Sequence, residues 1–391
     1  MTMRSAAAAA GSCLALLLAV LTATACVDSD PAGRRAERAA VARGDILVGA
    51  GGPWTTAKGK ALWAGMELAQ EEINAAGGIG GRRLRFVKGD DGNSVDVGRE
   101  VAQGFVDDPD MTAVIGHIDS YVSLPNSIMY EYYGMLMICP LSTAPKLTRQ
   151  GFRRVFRTIP DDAVFGTQLA RFAGKRGLRR VMIYQVQNAY GTGLANAFER
   201  ECEALGIAVP DRLSYDSASD AAVFRRDLAL WRENFAFDGI LVAGSIPHAP
   251  LFIKEARALG IRAAILTGEG LDTPEFVNLA GEAAEGTFVG SAFLPDDPRP
   301  ETRAFVDAYR RKHGTVPDAK AAQGYDTVRL LARGIEEAGS TVPDRVAGAL
   351  RGMTGWTGAT GNYRFDDRGD LADRDILIKV VRGGELVLFR E

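Results

Sequence analysis

Residues 111–120 read MTAVIGHIDS, and residues 135–143 read MLMICPLST. Each stretch is a short apolar run that ends abruptly in small and hydroxyl-bearing residues, which is the pattern of a buried strand that delivers a loop to one edge of a sheet. A helix is predicted between them, over residues 121–133. The two stretches therefore predict a strand, a helix and a second, parallel strand, with Ser120 and Thr143 at the strand ends.

The same alternation of strands and helices extends over most of the chain. It begins at Asp45 and starts again after Pro160. Repeated strand–helix–strand units predict a parallel sheet with helices on both faces, so two successive sets predict two lobes. We expect one crossing between the lobes near Asp161 and another at residues 295–300, PDDPRP, where proline and aspartate interrupt regular structure.

Length and charge agree with two globular domains and argue against a nucleic-acid partner. The 391 residues exceed what one hydrophobic core usually serves, and a content of 47% hydrophobic and 24% charged residues is ordinary for a globular protein. The 46 basic and 49 acidic residues are well mixed and leave a formal net charge of −3. The chain therefore has no basic excess of the kind that nucleic-acid binding requires.

The first residues are expected to form an export signal. Residues 1–26 contain an apolar run from Ala6 to Leu21 and the small residues Ala23-Thr24-Ala25 before Cys26. Ordinary cleavage after A-x-A fits this pattern, and so does lipoprotein processing, in which Cys26 becomes the lipidated first residue. We favour the lipid anchor. Residues 27–44, polar and rich in Ala and Arg, are then expected to form a tether between the membrane and the folded body.

No disulfide, metal site or enzymatic motif is predicted. Cys139 lies in an apolar run and Cys202 in a helical pattern, so both are expected to be unpaired thiols. The three histidines, His117, His248 and His313, are scattered without metal-ligand spacing. The motifs G-x-S-x-G and G-x-x-x-x-G-K-[ST] are absent. The sequence therefore predicts a protein that uses no cofactor and is not an enzyme.

The two strand ends have the chemistry of an anion-binding site. Ligands of open parallel sheets bind outside the carboxyl ends of the strands, where helix N-termini also converge. The hydroxyls of Ser120 and Thr143, together with the free N–H groups of a helix N-terminus, can hold a carboxylate. The residues alone leave open the alternative that Ser120 only caps a helix and Thr143 only closes a turn.

Residues 114–148, VIGHIDSYVSLPNSIMYEYYGMLMICPLSTAPKLT, resemble a segment of the Leu/Ile/Val-binding proteins. These are the branched-chain amino-acid family of periplasmic solute-binding proteins for ABC transporters. Other segments follow in the family's order: EINAAGGIGGRRLRFVKGDD, FRTIPDDAVFGTQLA, the turn Asn188–Gly193, and Gly268-Glu269-Gly270. The resemblance covers essentially the whole chain after the tether and is specific as an ensemble.

The resemblance implies an α/β fold of two Rossmann-like lobes with parallel sheets, joined by a multi-strand hinge. This is the clamp of type I periplasmic binding proteins. Lobe 1 is expected over residues 45–161 and about 293–355, and lobe 2 over residues 162–292 and about 356–391. In such a clamp, lobe 1 holds the ligand's carboxylate and ammonium, and lobe 2 closes over them.

The resemblance also implies roles for individual residues. Ser120 and Thr143 match the hydroxyls that bind the carboxylate, while the backbone of Leu141 and Ser142, with Thr143, lies where the ammonium is partly met. Glu269 matches the acid that pairs with the ammonium. Tyr190 matches an aromatic contact from the closing lobe. An acid between two glycines can stand unshielded at the lobe edge, although a solvated loop acid is the plainer alternative.

Some positions depart from the family's pattern and bear on the ligand's side chain. Where the family often has an aromatic residue after its first strand, this chain has Trp54 to Lys58. Where lobe 2 often has an aromatic residue, it has Ser245. Asp119 stands beside the carboxylate site, where the branched-chain binders are not acidic. Asp119 and Lys58 leave three alternatives open: they indicate a polar amino acid as ligand, they pair with each other, or they face water.

The function that the resemblance implies is extracytoplasmic. The protein would capture an amino acid or a similar small zwitterion between its lobes and deliver it to an ABC permease, in the periplasm or at the outer face of the cell membrane, anchored by lipid on Cys26. The alternative is a ligand-sensing receptor, or a binder of an aromatic acid, urea or amide. Glu269, as a partner for an ammonium, argues against those ligands.

Overall fold

Two sheets, each with helices on both faces, form two lobes. The computed structural model describes residues 30–390. The strands of lobe 1 are β1 (Ile46–Gly52), β2 (Leu84–Asp90), β3 (Met111–Ile115), β4 (Leu136–Cys139) and β5 (Val155–Arg157). They are all parallel and lie in the order β2-β1-β3-β4-β5. The predicted fold class, an α/β protein with a parallel sheet in each lobe, is confirmed.

Lobe 2 contains a larger sheet whose central strands are parallel. The strands that follow β5 are β6 (Val181–Val186), β7 (Arg212–Tyr215), β8 (Gly239–Ala243), β9 (Ala264–Thr267), β10 (Phe288–Ser291), β11 (Trp356–Gly358), β12 (Gly361–Tyr363), β13 (Leu377–Arg382) and β14 (Glu385–Leu388). The order in lobe 2 is β14-β13-β10-β9-β8-β6-β7, with β13 and β14 antiparallel to their neighbours. Strands β11 and β12 form a separate hairpin.

The helices cover both faces of the two sheets. They are α1 (Pro31–Val41), α2 (Ala57–Ala75), α3 (Val95–Asp107), α4 (Ser120–Tyr132), α5 (Asp162–Lys175), α6 (Ala189–Leu205), α7 (Ala221–Asn234), α8 (His248–Ala258), α9 (Pro274–Ala280), α10 (Pro300–His313), α11 (Ala319–Ala338) and α12 (Pro343–Gly352). Three short 3-10 turns lie at Pro145–Leu147, Glu269–Leu271 and Gly281–Ala284.

Strands β3 and β4 are buried along their whole length. Side chains on one face of the lobe 1 sheet pack with α2 and α11, and those on the other face pack with α3 and α4. Burial on both faces explains why these strands read as continuous apolar runs rather than as alternating patterns. The sheet is thereby fixed, and the loops after β3 and β4 project from its carboxyl edge toward lobe 2.

Within residues 30–390 the chain crosses between the lobes three times. It leaves lobe 1 after β5, at residues 158–161, and returns after β10, at residues 292–299. The third crossing comes later than predicted, because the hairpin of β11 and β12 belongs to lobe 1. The Asp326 carboxylate in α11 accepts hydrogen bonds from the N–H groups of Ala359 and Thr360 and so holds the hairpin. The chain enters lobe 2 only before β13, which is later than the boundary predicted at about residue 356.

The tether predicted over residues 27–44 is also wrong where the structure describes it. Residues 31–41 form α1, which Asp30 caps by accepting a hydrogen bond from the Gly33 N–H. The buried Arg35 guanidinium donates to main-chain carbonyls of lobe 1, namely those of Val106, Asp108, Met111 and Tyr133. Ala and Arg are strong helix formers, so the composition that indicated a tether equally suits a docked helix.

The predicted export signal, including Cys26, lies outside residues 30–390. Within those residues, no helix combines the length and the apolar character needed to cross a bilayer.

Candidate functional site

The loops after β3 and β4 meet at Ser120. This residue begins α4 and is almost fully buried, and its hydroxyl oxygen accepts hydrogen bonds from the Ser142 Oγ at 3.0 Å and from the Ala144 N–H at 3.2 Å. The helix is not capped by this hydroxyl, because the N-cap position is Asp119, whose side chain makes no capping bond. The two strand ends therefore lie side by side, as the sequence predicted.

Thr143 presents an unsatisfied hydroxyl beside this junction. The residue is 1% exposed, and its Oγ1 has no hydrogen-bond partner among the described residues. A buried polar group without a partner costs about 1–3 kcal/mol, so such groups mark places where a ligand or water completes the bonding. Leu141 and Ser142 are buried as well, but the Ser142 hydroxyl already donates to Ser120. Thr143 is thus the group that this loop offers to a ligand.

The side chain of Arg157, in β5, fixes the loop that contains Thr143. This side chain is fully buried, and its Nη1 donates to the carbonyl oxygens of Ser142 at 3.3 Å and Ala144 at 2.7 Å. The guanidinium also pairs with Asp370, with an Nε to Oδ1 distance of 2.9 Å. These bonds fix the backbone on either side of Thr143. Sequence reasoning did not single out Arg157, although a charge inside an apolar strand, VFRTI, was a signal for it.

Lobe 2 places Glu269 and Tyr190 next to each other at the end of β9. Glu269 is 8% exposed, and its Oε2 has no partner within residues 30–390, which also holds for the Tyr190 hydroxyl. A Cβ at Gly268 or Gly270 would lie 2.8 or 3.0 Å from the Tyr190 Oη. The two glycines therefore make room for Tyr190. The alternative of a solvated loop acid is wrong, because Glu269 is buried.

Burial also sets the electrostatics of Glu269. Removal from water raises the pKa of the carboxyl group, whereas the charge of Lys320 and the Tyr190 hydroxyl act to lower it. Lys320, in the first turn of α11, is 6% exposed and donates from Nζ to the main-chain oxygen of Glu269 at 2.7 Å. Since α11 packs in lobe 1, this contact joins the two lobes at the site.

Asp162 and Gln323 are two further buried residues that sequence reasoning missed. Both carboxylate oxygens of Asp162, and both polar atoms of the Gln323 amide, lack partners in the described part of the chain. Gln323 lies in α11, one helical turn beyond Lys320. Asp162 begins α5, a position at which an acid is ordinarily explained by helix capping. The residue that caps α5 is Asp161 instead, which accepts a hydrogen bond from the Val164 N–H at 2.9 Å.

Three further predicted residues, Lys58, Asp119 and Trp54, are paired or packed within lobe 1. Lys58 and Asp119 form an ion pair with a closest distance of 2.6 Å, so the alternative in which they bind each other is the one that the structure has. Trp54 is buried, and its indole N–H donates to the carbonyl oxygens of Ala50 and Gly89, so this residue serves the packing of lobe 1. It does not present a polar group to a ligand.

Ser245 lies beside the lobe 2 part of the site. It follows β8 and is partly exposed, and its main-chain N–H is 3.4 Å from the Tyr215 hydroxyl. The preceding Gly244 has its carbonyl oxygen close to Gly270, at 2.9 Å from the position that a Cβ would take there. A small residue at this point leaves space at the rim of the site where a larger side chain would project.

The candidate site therefore consists of buried polar groups where the two lobes meet, and we refer to it as the chamber. Lobe 1 contributes the Thr143 hydroxyl, and lobe 2 contributes Tyr190 and Glu269. The candidate residues Ser120, Thr143, Tyr190 and Glu269 are each 8% exposed or less. A ligand can reach these groups only if the lobes separate. A chamber of this kind can bind and enclose a small molecule that carries both an anionic and a cationic group.

Comparisons with known proteins agree with this geometry. A family model described as "Periplasmic binding protein" matches residues 46–385. The chain is 32% identical to the leucine-, isoleucine-, valine-, threonine- and alanine-binding protein of Pseudomonas aeruginosa, over 81% of this chain and 83% of that one.

Solved structures show the same likeness. The ABC transporter substrate-binding protein of Desulfitobacterium hafniense in complex with Leu is 36% identical, with a TM-score of 0.79 over 88% of this chain and 100% of that one. The leucine-binding protein LivK of Thermotoga maritima is 29% identical, with a TM-score of 0.83 over 88% and 98% of the two chains.

Proposed function

Because the chain belongs to the periplasmic binding protein family, we propose that it captures an α-amino acid between its two lobes and delivers it to an ABC permease. The observation that carries this proposal is the set of buried, unpartnered groups at the lobe interface. The Thr143 hydroxyl lies on lobe 1, and the Glu269 carboxylate and Tyr190 hydroxyl lie on lobe 2. Hydroxyls and backbone N–H groups suit a carboxylate, and a buried acid suits an ammonium.

The proposed binding mode assigns one charge of the ligand to each part of the site. The ligand's carboxylate lies at the N-terminus of α4, where Thr143 and the main chain around Ser120 donate hydrogen bonds and the helix dipole favours an anion. The ligand's ammonium lies against Glu269. Tyr190 covers the ligand from lobe 2 when the lobes close. Closure excludes water and so strengthens both charged contacts.

Relatives named for branched-chain and small aliphatic amino acids suggest which ligands to test first. Purified protein should release an amino acid on denaturation, identified by mass spectrometry of the supernatant. Calorimetry with L-leucine, L-isoleucine, L-valine, L-threonine and L-alanine should then give a saturable binding heat for at least one of them. If none binds and no amine-containing molecule is released, the proposed ligand class is wrong.

Glu269→Gln tests the ammonium contact directly. The variant keeps the size of the side chain but loses its charge, so amino-acid binding should weaken by about 1.5–3 kcal/mol, the contribution of one charged hydrogen bond. Glu282→Gln is a matched control, because Glu282 is an exposed acid of the same lobe. Tight binding of a ligand without an amine, unaffected by Glu269→Gln, would reject this role.

We also propose that the mature protein is anchored to the membrane by lipid on Cys26. The support is the sequence Thr24-Ala25-Cys26 after an apolar run. With α1 docked on lobe 1 from Pro31 onward, only a few residues would separate the lipid from the folded body. In fractionated cells the wild-type protein should sediment with membranes and Cys26→Ala should not. A soluble wild-type protein, or a membrane-bound variant, would contradict the anchor.

A further inference from the structure

His117 is a buried residue to which the proposed binding mode assigns no role. It follows β3 and lies three residues before Ser120, in the loop that leads to the candidate site. Its imidazole is fully buried and bonds to three side chains, those of Asp91, Asn126 and Tyr130. A buried network of this kind fixes the groups that it joins, because the loss of any bond leaves a polar group unpaired away from water.

The imidazole of His117 reaches across one strand to bond to the end of another. The order of the sheet is β2-β1-β3, so β1 lies between the strand of His117 and that of Asp91. Asp91 directly follows β2, and its Oδ2 is 2.7 Å from His117 Nδ1. Gly51, near the end of β1, leaves room for the ring, because a Cβ there would lie 2.9 Å from the ring Cε1. The side chain therefore joins the ends of β2 and β3.

The main chain of His117 is fixed as well. Its carbonyl oxygen accepts hydrogen bonds from the Sγ of Cys139, at the end of β4, and from the Oγ of Ser123, near the start of α4, both at 3.1 Å. Ser120 is the first residue of the same helix. His117 thus links the ends of three strands to the first turn of α4, the turn that receives the ligand's carboxylate in the proposed binding mode.

The partners of the His117 ring define its tautomer. The Asp91 carboxylate accepts the bond from Nδ1–H. The Asn126 amide nitrogen donates to the Val122 carbonyl at 3.0 Å, which orients the amide so that this nitrogen also lies 3.3 Å from Nε2. Burial raises the pKa of Tyr130 well above its ordinary value, and the charge of Asp91 raises it further, so its hydroxyl keeps the proton that it donates to Nε2 at 3.0 Å. The ring therefore carries its proton on Nδ1 and accepts at Nε2.

We propose that His117 is a positioning residue for the ligand's carboxylate: its Nδ1–H bond to Asp91 holds the loop after β3 and, with it, the first turn of α4. The inference rests on the proposed function, since it concerns the carboxylate part of the same site. His117 does not touch the ligand. It acts through the three residues of main chain that lead to Ser120.

Two substitutions at position 117 separate the bond to Asp91 from the other contacts of the ring. In His117→Asn the amide nitrogen takes the place of Nδ1 and can still donate to Asp91, whereas the side chain of His117→Leu cannot donate. Calorimetry should show that His117→Leu weakens the binding of L-leucine, or of the amino acid identified by mass spectrometry, roughly 10- to 150-fold. This is the loss of one charged hydrogen bond to the carboxylate. His117→Asn should stay within about fivefold of wild type.

Val114→Ala is the control for a general loss of stability. Val114 is fully buried in β3, so its truncation lowers the free energy of unfolding without removing any bond of His117. Its affinity for the amino acid should remain within about twofold of wild type. Urea unfolding of the three variants shows whether affinity follows stability.

Nuclear magnetic resonance of protein labelled with ¹⁵N tests the tautomer. A ring N–H signal from Nδ1 of His117 should be present in wild type and absent from His117→Asn, and Nε2 should carry no proton. A proton on Nε2 instead of Nδ1 would remove the bond to Asp91 and overturn the proposal.

The affinities distinguish this proposal from the proposed function. Unchanged binding in His117→Leu, equal losses in His117→Leu and His117→Asn, or an equal loss in Val114→Ala would each overturn the positioning role and leave the proposed function intact. If wild-type protein binds none of the five amino acids named for calorimetry and releases no amine-containing molecule, both fail together. Should His117→Leu not fold, His117→Gln carries the same expectation, because its amide reaches Tyr130 but not Asp91.

Discussion

Two groups of buried charges in this molecule differ in how their hydrogen bonds are satisfied. In lobe 1, Asp326 accepts from the N–H groups of Ala359 and Thr360 and from the Tyr363 hydroxyl. Between the lobes, Asp162 is equally buried, but its carboxylate oxygens have no partner in the described residues. Burial raises the pKa of both acids. Main-chain N–H groups oppose the rise for Asp326, whereas for Asp162 only the nearby Thr143 hydroxyl and the charge of Arg157 do.

The difference distinguishes a buried charge that serves the fold from one whose place the fold does not explain. A buried charge with a full set of partners holds two segments together, as Asp326 holds the hairpin of β11 and β12 on α11. A buried charge without partners lowers stability and is retained for another purpose. The comparison predicts opposite effects on stability: substitution of a partnered charge lowers the free energy of unfolding, whereas removal of the unpartnered charge of Asp162 does not.

The largest effect is expected at Arg157, whose guanidinium is fully partnered. Arg157→Met leaves Asp370 without its ion pair and the carbonyls of the Thr143 loop without donors, so the free energy of unfolding should fall by about 3–5 kcal/mol. Urea unfolding measures this loss. Arg171→Met is the control, because its ion pair with Glu201 is on the surface and should contribute no more than about 1 kcal/mol. Equal losses in the two variants would contradict the assignment of Arg157.

A smaller loss is expected at Asp326. Asp326→Asn can accept only part of the hydrogen bonds that now reach the carboxylate, so stability should fall by about 1–3 kcal/mol. Amino-acid affinity should stay within about twofold of wild type, because a shift below 0.5 kcal/mol is expected for a site that it does not touch. Urea unfolding and calorimetry on the same preparation test both parts. A variant that keeps its stability but loses binding would reverse the comparison.

The dependence of stability on pH should separate Asp162 from Asp326 further. Because the native pKa of Asp162 is raised, the native state binds more protons than the unfolded state above the ordinary carboxyl pKa of about 4. Linkage then requires that this group lower the stability of ligand-free protein as pH rises through that window. Asp162→Asn lacks this contribution, so its stability relative to wild type should increase from pH 4 to pH 7. The charged groups around Asp162 are Glu269, Asp161 and Arg157.

Chemical unfolding of both ligand-free proteins at several pH values measures this difference. If the relative stability of Asp162→Asn is constant with pH, Asp162 does not titrate in the native protein as described.

The smallest effect is expected for the ion pair at the rim of the site. Lys58 and Asp119 are 28% and 20% exposed, so their pair should contribute only about 0.2–1 kcal/mol. Lys58→Met leaves Asp119 unneutralised near the ligand's carboxylate and should weaken binding by up to about fivefold. The double variant with Asp119→Asn should restore the affinity. If the double variant instead changes which amino acid binds most tightly, Lys58 and Asp119 contact the ligand's side chain and contribute to specificity.

Much of the fold could be predicted because its central strands are buried on both faces. Strands β3, β4, β8 and β9 read as short apolar runs, and their positions in the sequence correspond closely to the structure. Strand β5 was not predicted because it is only three residues long and contains a charged residue, Arg157. The Arg157 guanidinium donates to a carbonyl oxygen of the Thr143 loop. Helix α1 was misread because its apolar residues after Pro31 are only alanines and one valine. Arg35 and Arg38 dock it on lobe 1.

The site was only partly predictable for a different reason. Ser120 and Thr143 follow strands that are neighbours in the sheet, so their proximity follows from the order of the elements. Lys320 and Gln323 lie about fifty residues beyond Glu269, in a helix whose local sequence carries no sign that one turn of it faces the other lobe. Asp162 was hidden by its position, since an acid at the start of a helix has an ordinary explanation. Only the structure shows that Asp161 already provides the cap.

Small-angle scattering tests the central claim, that the protein closes its lobes around an amino acid held in the chamber. The site groups are too buried for a ligand to enter without separation of the lobes. Protein freed of ligand by unfolding and refolding should therefore have a larger radius of gyration, which should fall when saturating L-leucine, or the amino acid identified by mass spectrometry, is added. A radius of gyration that stays the same at saturation would contradict the clamp and, with it, the account of the site.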